Sequence, residues 1–171
     1  MDFTRVICER ESIRNYDPTR PVGKEVLGRI LDAGRIAPSA ANRQPWKFLV
    51  VSSREMLAQV RRCYTKPWFQ DAPHVLVVTG RTGDSWTRQD GWNSIETDLI
   101  IATDHMILAA ENEGVGTCWI ATFDPVALRT ALGLGVEDRV YAITPLGYPK
   151  PGFTKKGRKQ RKSLQEVVRY M

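Results

Sequence analysis

Only three cysteines (Cys8, Cys63, Cys118) and two histidines (His74, His105) occur in 171 residues. An odd number of widely separated cysteines builds neither a disulfide framework nor a zinc clip. The histidines stand 31 positions apart, which gives no metal-ligand spacing. Long apolar runs are missing too. Stretches such as Leu99-Ile100-Ile101-Ala102 are far too short to span a bilayer. The opening Met1-Asp2-Phe3-Thr4-Arg5 has an early acid and no apolar core of secretion-signal length, so the chain reads as cytoplasmic with reduced thiols.

Several chemical motifs are also absent. There is no Gly-x-x-x-x-Gly-Lys phosphate loop and no Gly-x-Gly-x-x-Gly after a strand. Gly133-Leu134-Gly135 reads as a turn. No serine sits in a nucleophile elbow and no cysteine has a base nearby in sequence. His105, next to Asp104 in an apolar stretch, reads as a hydrogen-bonded core histidine. These absences leave little support for hydrolytic chemistry.

What remains is an ordinary globular composition: 42% hydrophobic, 26% charged, 13 Gly and 10 Pro. It excludes a collagen-like, low-complexity or disordered chain. The length suits one domain, in which about 70% of the unfolded surface can be buried. The net charge of +6 comes from 25 basic and 19 acidic residues. Seven of those bases lie between Lys150 and Lys162 (Lys150, Lys155, Lys156, Arg158, Lys159, Arg161, Lys162), a stretch with no acid. Without them 18 bases face 19 acids, so the positive charge belongs to one segment. A nucleic-acid reading has only that charge in its favour. Phe153 is the sole aromatic there, and no recognition helix accompanies it.

Periodicity predicts a short helix over Phe3–Arg10 and a second from Gly23 to Ile36, stopped before Pro38. Strands are expected at Phe48–Val51, Val75–Val78, Thr117–Ala121 and Val140–Leu146, the second apolar on both faces and so central. Helices are expected over Arg54–Cys63 and Pro125–Leu132. The longest helix, Asn93–Glu113, should run through the core, capped by Asn93 with Glu96 and stopped at Gly114. The mixture gives an α+β fold.

Three segments are poorly explained by packing alone. In Arg10-Glu11-Ser12-Ile13-Arg14 an extended backbone projects Arg10, Ser12 and Arg14 to one side, a cradle for phosphate. A solvated helix exit fits the same spacing. The rigid Ala37-Pro38-Ser39-Ala40-Ala41-Asn42-Arg43-Gln44-Pro45-Trp46 could bring backbone N–H groups and an amide to a flat ligand, or be a plain connection. Gly114-Val115-Gly116-Thr117-Cys118-Trp119-Ile120 allows close backbone approach, or simply starts a buried strand.

Taken in order, Arg10-x-Ser12-x-Arg14-x-Tyr16, Ala37-Pro38-Ser39-x-x-Asn42-x-Gln44-Pro45-Trp46 and Gly114-x-Gly116-Thr117-Cys118-Trp119-Ile120 resemble the nitroreductase family of flavoproteins. Leu146-Gly147-Tyr148-Pro149 and Lys159-Gln160-Arg161-Lys162-Ser163-Leu164 extend the resemblance over nearly the whole chain. It implies a three-layer α/β/α sandwich with a mainly antiparallel sheet, working as an intertwined homodimer, and one domain over 1–171. Residues 150–171 would form a basic extension against FMN or the partner subunit.

The resemblance further implies tightly bound FMN, with NAD(P)H delivering electrons through flavin N5, in ping-pong fashion, to a nitroaromatic, quinone or similar small acceptor. No catalytic side chain is then required. Arg10, Ser12, Arg14, Lys159 and Arg161 would hold the phosphate. Pro38, Ser39 and Asn42 would come from the partner subunit, Gly116, Trp119 and Ile120 would offer backbone contacts to the ring, and Gln44 would sit at its edge. The remaining tail bases are expected to be solvated surface. Glu11 stands where many relatives carry a base. The acceptor pocket would be closed by Lys66-Pro67-Trp68-Phe69 or by the Arg81–Trp92 loop, placing Trp68, Phe69, Trp86 and Trp92 against a flat substrate. A dehalogenase-like, flavin-storing or sensing role is the alternative within the fold.

Overall fold

The computed structural model describes residues 2–157 and 159–171. Four strands, β1 (Trp46–Val51), β2 (His74–Arg81), β3 (Gly116–Thr117) and β4 (Asp138–Gly147), form one sheet in the order β1-β2-β4-β3, every pair antiparallel. The helices are α1 (Phe3–Glu9), α2 (Lys24–Arg35), α3 (Arg54–Val60), α4 (Pro67–Gln70), α5 (Ile95–Asn112), α6 (Pro125–Leu132) and α7 (Leu164–Val167).

The central strand explains the layering. Alternate side chains of β2 enter opposite cores: Val75 and Val77 pack with Leu57, Val60, Phe69 and Leu128, whereas Leu76 and Val78 pack with Ile30, Leu99 and Met106. Helices α3 and α6 therefore cover one face, and α2 and α5 the other. This is the α+β fold expected from the sequence, in the three layers that the resemblance implies.

Long helix α5 buries Leu99, Ala102, Met106, Ile107 and Ala110, together with Asp98, Thr103 and Glu111. Its stop is Gly114 at φ 70°, a left-handed position that glycine adopts without a Cβ penalty. Its start differs from the expected capping box. The N-cap is Ser94, because the Asn93 carboxamide is committed to the preceding loop, where it meets Ser85, Thr87 and the Thr82 carbonyl. Asn93 still accepts the Ile95 N–H at 3.0 Å.

A second departure lies in the strand expected over Thr117–Ala121. Only Gly116 and Thr117 pair continuously with β4, and contact resumes at a single bridge between Ile120 and Ile143. Cys118 and Trp119 leave the ladder.

Candidate functional site

The backbone N–H of Arg10 closes the last turn of α1, after which the chain runs beside β3. Ser12 bridges Thr117 in parallel, and the Ile13 N–H donates to the Thr117 carbonyl at 2.7 Å. Ile13 points inward and is 1% exposed, held by the Tyr16 hydroxyl, which donates to its carbonyl at 2.7 Å. Residues two apart in an extended chain share a side. Arg10, Ser12, Asp104, Ile107, Thr117 and Trp119 line a cavity of about 240 Å³. An adjoining one of about 320 Å³ is lined by Glu11, Ser12, Arg14, Phe153, Thr154 and Lys156, so Ser12 belongs to both.

Basic groups gather in this region, with Asp104 and Glu11 as the acids in the two linings. The Arg10 Nε atom is buried and has no hydrogen-bond partner among the described residues. A buried, unpaired guanidinium N–H is costly and calls for an acceptor. The Lys159 ammonium is held below its ordinary value by burial and then by the nearby charges of Arg10 and Arg161. It donates to the Ile7 carbonyl at 2.9 Å, a neutral acceptor, and Glu111 offsets part of the repulsion. Arg10 and Arg161 thus lie close enough to Lys159 for their charges to act on it. Arg14 sits to the side, its guanidinium carbon 5.8 Å from the Trp68 ring centroid.

Other described tail bases are exposed, as expected, and some also tie the tail down. Lys155 pairs with the buried Glu111 carboxylate, and Lys150 pairs with Asp71 at 2.8 Å. The Lys150 N–H reaches Asn15 and the Lys156 N–H reaches Glu11. Glu11 is spent on the tail's backbone. Arg158 lies outside the described residues.

At β3, a Cβ on Gly116 would fall 2.9 Å from Ile13 Cγ2 and 3.1 Å from the Gly147 carbonyl, so close strand approach requires glycine. Trp119 lines the first cavity, its ring edge-on to Tyr141 at 6.0 Å. Ile120 does not fit its expected role. Its side chain is in the core, and its N–H and carbonyl both bond Ile143 at 3.0 Å, so that N–H is unavailable to a ligand. Cys118 lies beneath the site, its thiol pushed up by burial against the opposing pull of Arg14 and Ser12.

The loop after α2 is locally strained. Ala41, Asn42 and Gln44 have φ of 49°, 54° and 50°. Such left-handed residues cost about 1–3 kcal/mol each, less for asparagine. The Ser39 hydroxyl accepts the Gln44 N–H at 2.9 Å, and the Gln44 amide donates to both oxygens of Asn42 at 3.2 Å. Buried Asp98 on α5 accepts the Ala40 N–H at 2.9 Å. The loop does not reach the Arg10 cavity of its own chain: Pro38, Ser39, Asn42 and Gln44 are absent from its lining, and Gln44 borders a different cavity of about 430 Å³ with Arg43, Trp46 and Lys47.

The aromatic candidates separate. Trp68 is half-buried against Tyr16, Tyr64 and Phe69. Phe69 is fully buried in the α3–α6 core, so it packs the fold and cannot line a substrate pocket. Trp86 and Trp92 meet edge-on at 6.4 Å, with Arg88 over Trp92 at 5.3 Å, in a loop away from both cavities near Arg10. His105 is half-buried. The core histidine is His74, whose Nε2 accepts the Val22 N–H at 3.0 Å, so its Nδ1 carries the proton toward Ser52 Oγ at 2.7 Å. No metal-binding group of His, Cys, Asp or Glu exists among the described residues, and none of their helices is long and apolar enough to cross a membrane.

Sequence reasoning missed Asp98, Asp104 and Thr117. Asp98 had one available signal, an acid in the first turn of an otherwise apolar helix.

Comparison with known proteins agrees with this architecture. The Nitroreductase family model matches residues 7–63 and 54–148. An Archaeoglobus fulgidus protein named "Putative NADH dehydrogenase/NAD(P)H nitroreductase" is 35% identical over 151 residues, covering 85% of this chain and 84% of that one. The crystal structure of a nitroreductase family protein from Clostridium difficile 630 superposes with a TM-score of 0.90 at 33% identity, over 99% of this chain and 98% of the other. A "putative nitroreductase in complex with FMN" from Desulfovibrio desulfuricans shares the fold at a TM-score of 0.82 and 24% identity, covering 100% and 97%. With a family model spanning most of its length and relatives this similar from end to end, the chain belongs to the nitroreductase family.

Proposed function

We propose that the protein is an FMN-dependent oxidoreductase that accepts electrons from NAD(P)H and passes them to a nitroaromatic, a quinone or a similar electron-poor molecule. The observation that carries this reading is the buried Arg10 Nε, which has no partner among the described residues, with Lys159 and Arg161 nearby. Three clustered cations with an unused buried donor fit a doubly charged phosphate, which would supply a charge-assisted hydrogen bond to Arg10 Nε. A relative with the same fold was crystallised with FMN.

Arg10, Ser12, Lys159 and Arg161 would hold the phosphate, with Arg14 in the adjoining cavity. Gly116, Thr117 and Trp119 would border the ring through the break in β3. FMN supplies hydride and electron transfer at its N5 when bound. The chain binds the group, fixes its orientation and shields it from water; no side chain is assigned a proton-transfer step. Pro38, Ser39, Asn42 and Gln44 lie outside the Arg10 cavity of their own chain, so a second copy would complete the site with them, in a homodimer. The same two half-sites support the family reading that the tail contacts cofactor or partner.

The test is optical. Purified protein, as isolated or after reconstitution with FMN, is expected to show flavin bands that bleach anaerobically with NADH or NADPH. The bands should return on adding a quinone or nitroaromatic. A colourless protein that FMN cannot reconstitute would overturn the proposal. Bleaching without return would favour flavin storage or sensing.

A further inference from the structure

We propose that Asp98 is a positioning residue: its buried carboxylate holds the 39–44 loop in its left-handed form and so presents Ser39 and Asn42 to the cofactor of the neighbouring half-site. The inference rests on the FMN reading above, but the tether itself is visible in the fold. Asp98 is 1% exposed and both of its oxygens are engaged, Oδ1 by the Ala40 N–H at 2.9 Å and Oδ2 by the Ser94 hydroxyl at 2.7 Å. A carboxylate is expensive to bury. Here it sits in the first turn of α5, where the helix dipole offsets part of that cost.

Loop geometry gives the tether its purpose. Plain connections put glycine at positive φ, yet this one places Ala41, Asn42 and Gln44 there. Chains with side chains at such positions relax unless the surroundings over-determine them. The exit is wedged, since Pro45 O would lie 2.4 Å from a Cβ on Gly80, and the entry is anchored by buried Ala37. Between those ends, Asp98 grips the loop at Ala40. On the Ser39 and Asn42 side chains the internal bonds consume acceptors only: Ser39 Oγ and Asn42 Oδ1 both receive hydrogen bonds from Gln44. The Ser39 hydroxyl proton and the Asn42 amide protons have no acceptor among the described residues, which leaves a fixed set of donors. Donors fixed in this way suit the phosphate and carbonyl oxygens of FMN.

The experiment measures FMN dissociation constants by fluorescence quenching, and amide exchange over residues 39–44 in the flavin-free protein. The Asp98→Ala variant is expected to bind FMN about 10- to 100-fold more weakly, the range for losing a hydrogen bond to a charged group. Its Asn42, Arg43 and Gln44 amides should exchange faster. Asp98→Asn keeps an oxygen for Ala40 and should stay within about threefold of wild type. Adding Ala41→Gly to Asp98→Ala removes the left-handed penalty and should recover part of the affinity, which lost packing alone would not allow.

Unchanged affinity and exchange in Asp98→Ala would overturn the tether. If that variant does not fold, wild-type exchange decides: the Ala40 amide should be more protected than that of Ala41, and equal rates contradict the proposal. Wild type that fails to bind FMN would sink the functional reading alone, because amide exchange still reports on the tether.

Discussion

At the scale of single residues, the placements that were legible depend on neighbours close in sequence. The period-two alternation of Arg10, Ser12 and Arg14 is a local property, and Ser12 and Arg10 duly share a cavity wall. Asp98 and His74 are different: their partners Ala40 and Val22 lie 58 and 52 positions away, so no spacing rule could pair them. Ile120 and Phe69 failed as candidates for the same reason, since only the folded sheet shows which strand or core claims them. His74 also carries a pH dependence. Burial holds its imidazole below the ordinary value, so the native state resists protonation more than the unfolded chain does. Stability is therefore complete above the unfolded value of about 6.5 and declines as pH falls through it. The thermal midpoint is expected to drop between pH 7.5 and 5.5 by more in wild type than in His74→Gln. Equal drops would contradict this account.

At the scale of elements, helices and strands with strong apolar periodicity were legible, down to the buried two-faced β2 and the glycine stop of α5. The break in β3 was not, because it depends on pairing with β4 rather than on the residues of Thr117–Ala121. Short α4 and α7 were also missed, each with only one turn of signal. Two glycines give opposing predictions that follow from element packing. A Cβ at Gly80 would meet the Pro45 carbonyl at 2.4 Å and Ile95 Cδ1 at 2.9 Å, so Gly80→Ala should cost about 1–3 kcal/mol in a urea titration. Exposed Gly28 in α2 has nothing within 4 Å, and Gly28→Ala should stabilise by about 0.5–1 kcal/mol. Like signs for the two would show that the close approach of the loop exit to β2 is wrong.

At the scale of the molecule, the positive charge that invited a nucleic-acid reading divides into separate tasks. Lys150 and Lys155 fasten the tail by ion pairs, while the backbones of Lys150 and Lys156 fasten it to Asn15 and Glu11. What remains at the site is the group of Arg10, Lys159 and Arg161, drawn from the two ends of the chain. Only folding brings these ends together, which is why composition alone could not reveal the group. The central claim is that this group serves the phosphate of FMN. It is tested most directly by comparing affinities for FMN and for riboflavin, which has the same ring without the phosphate. Wild type is expected to prefer FMN by about 100-fold or more, as two or more charge-assisted bonds would give, and Arg10→Ala should lose most of that preference while remaining folded. Equal affinity of the wild-type protein for the two flavins would contradict the account.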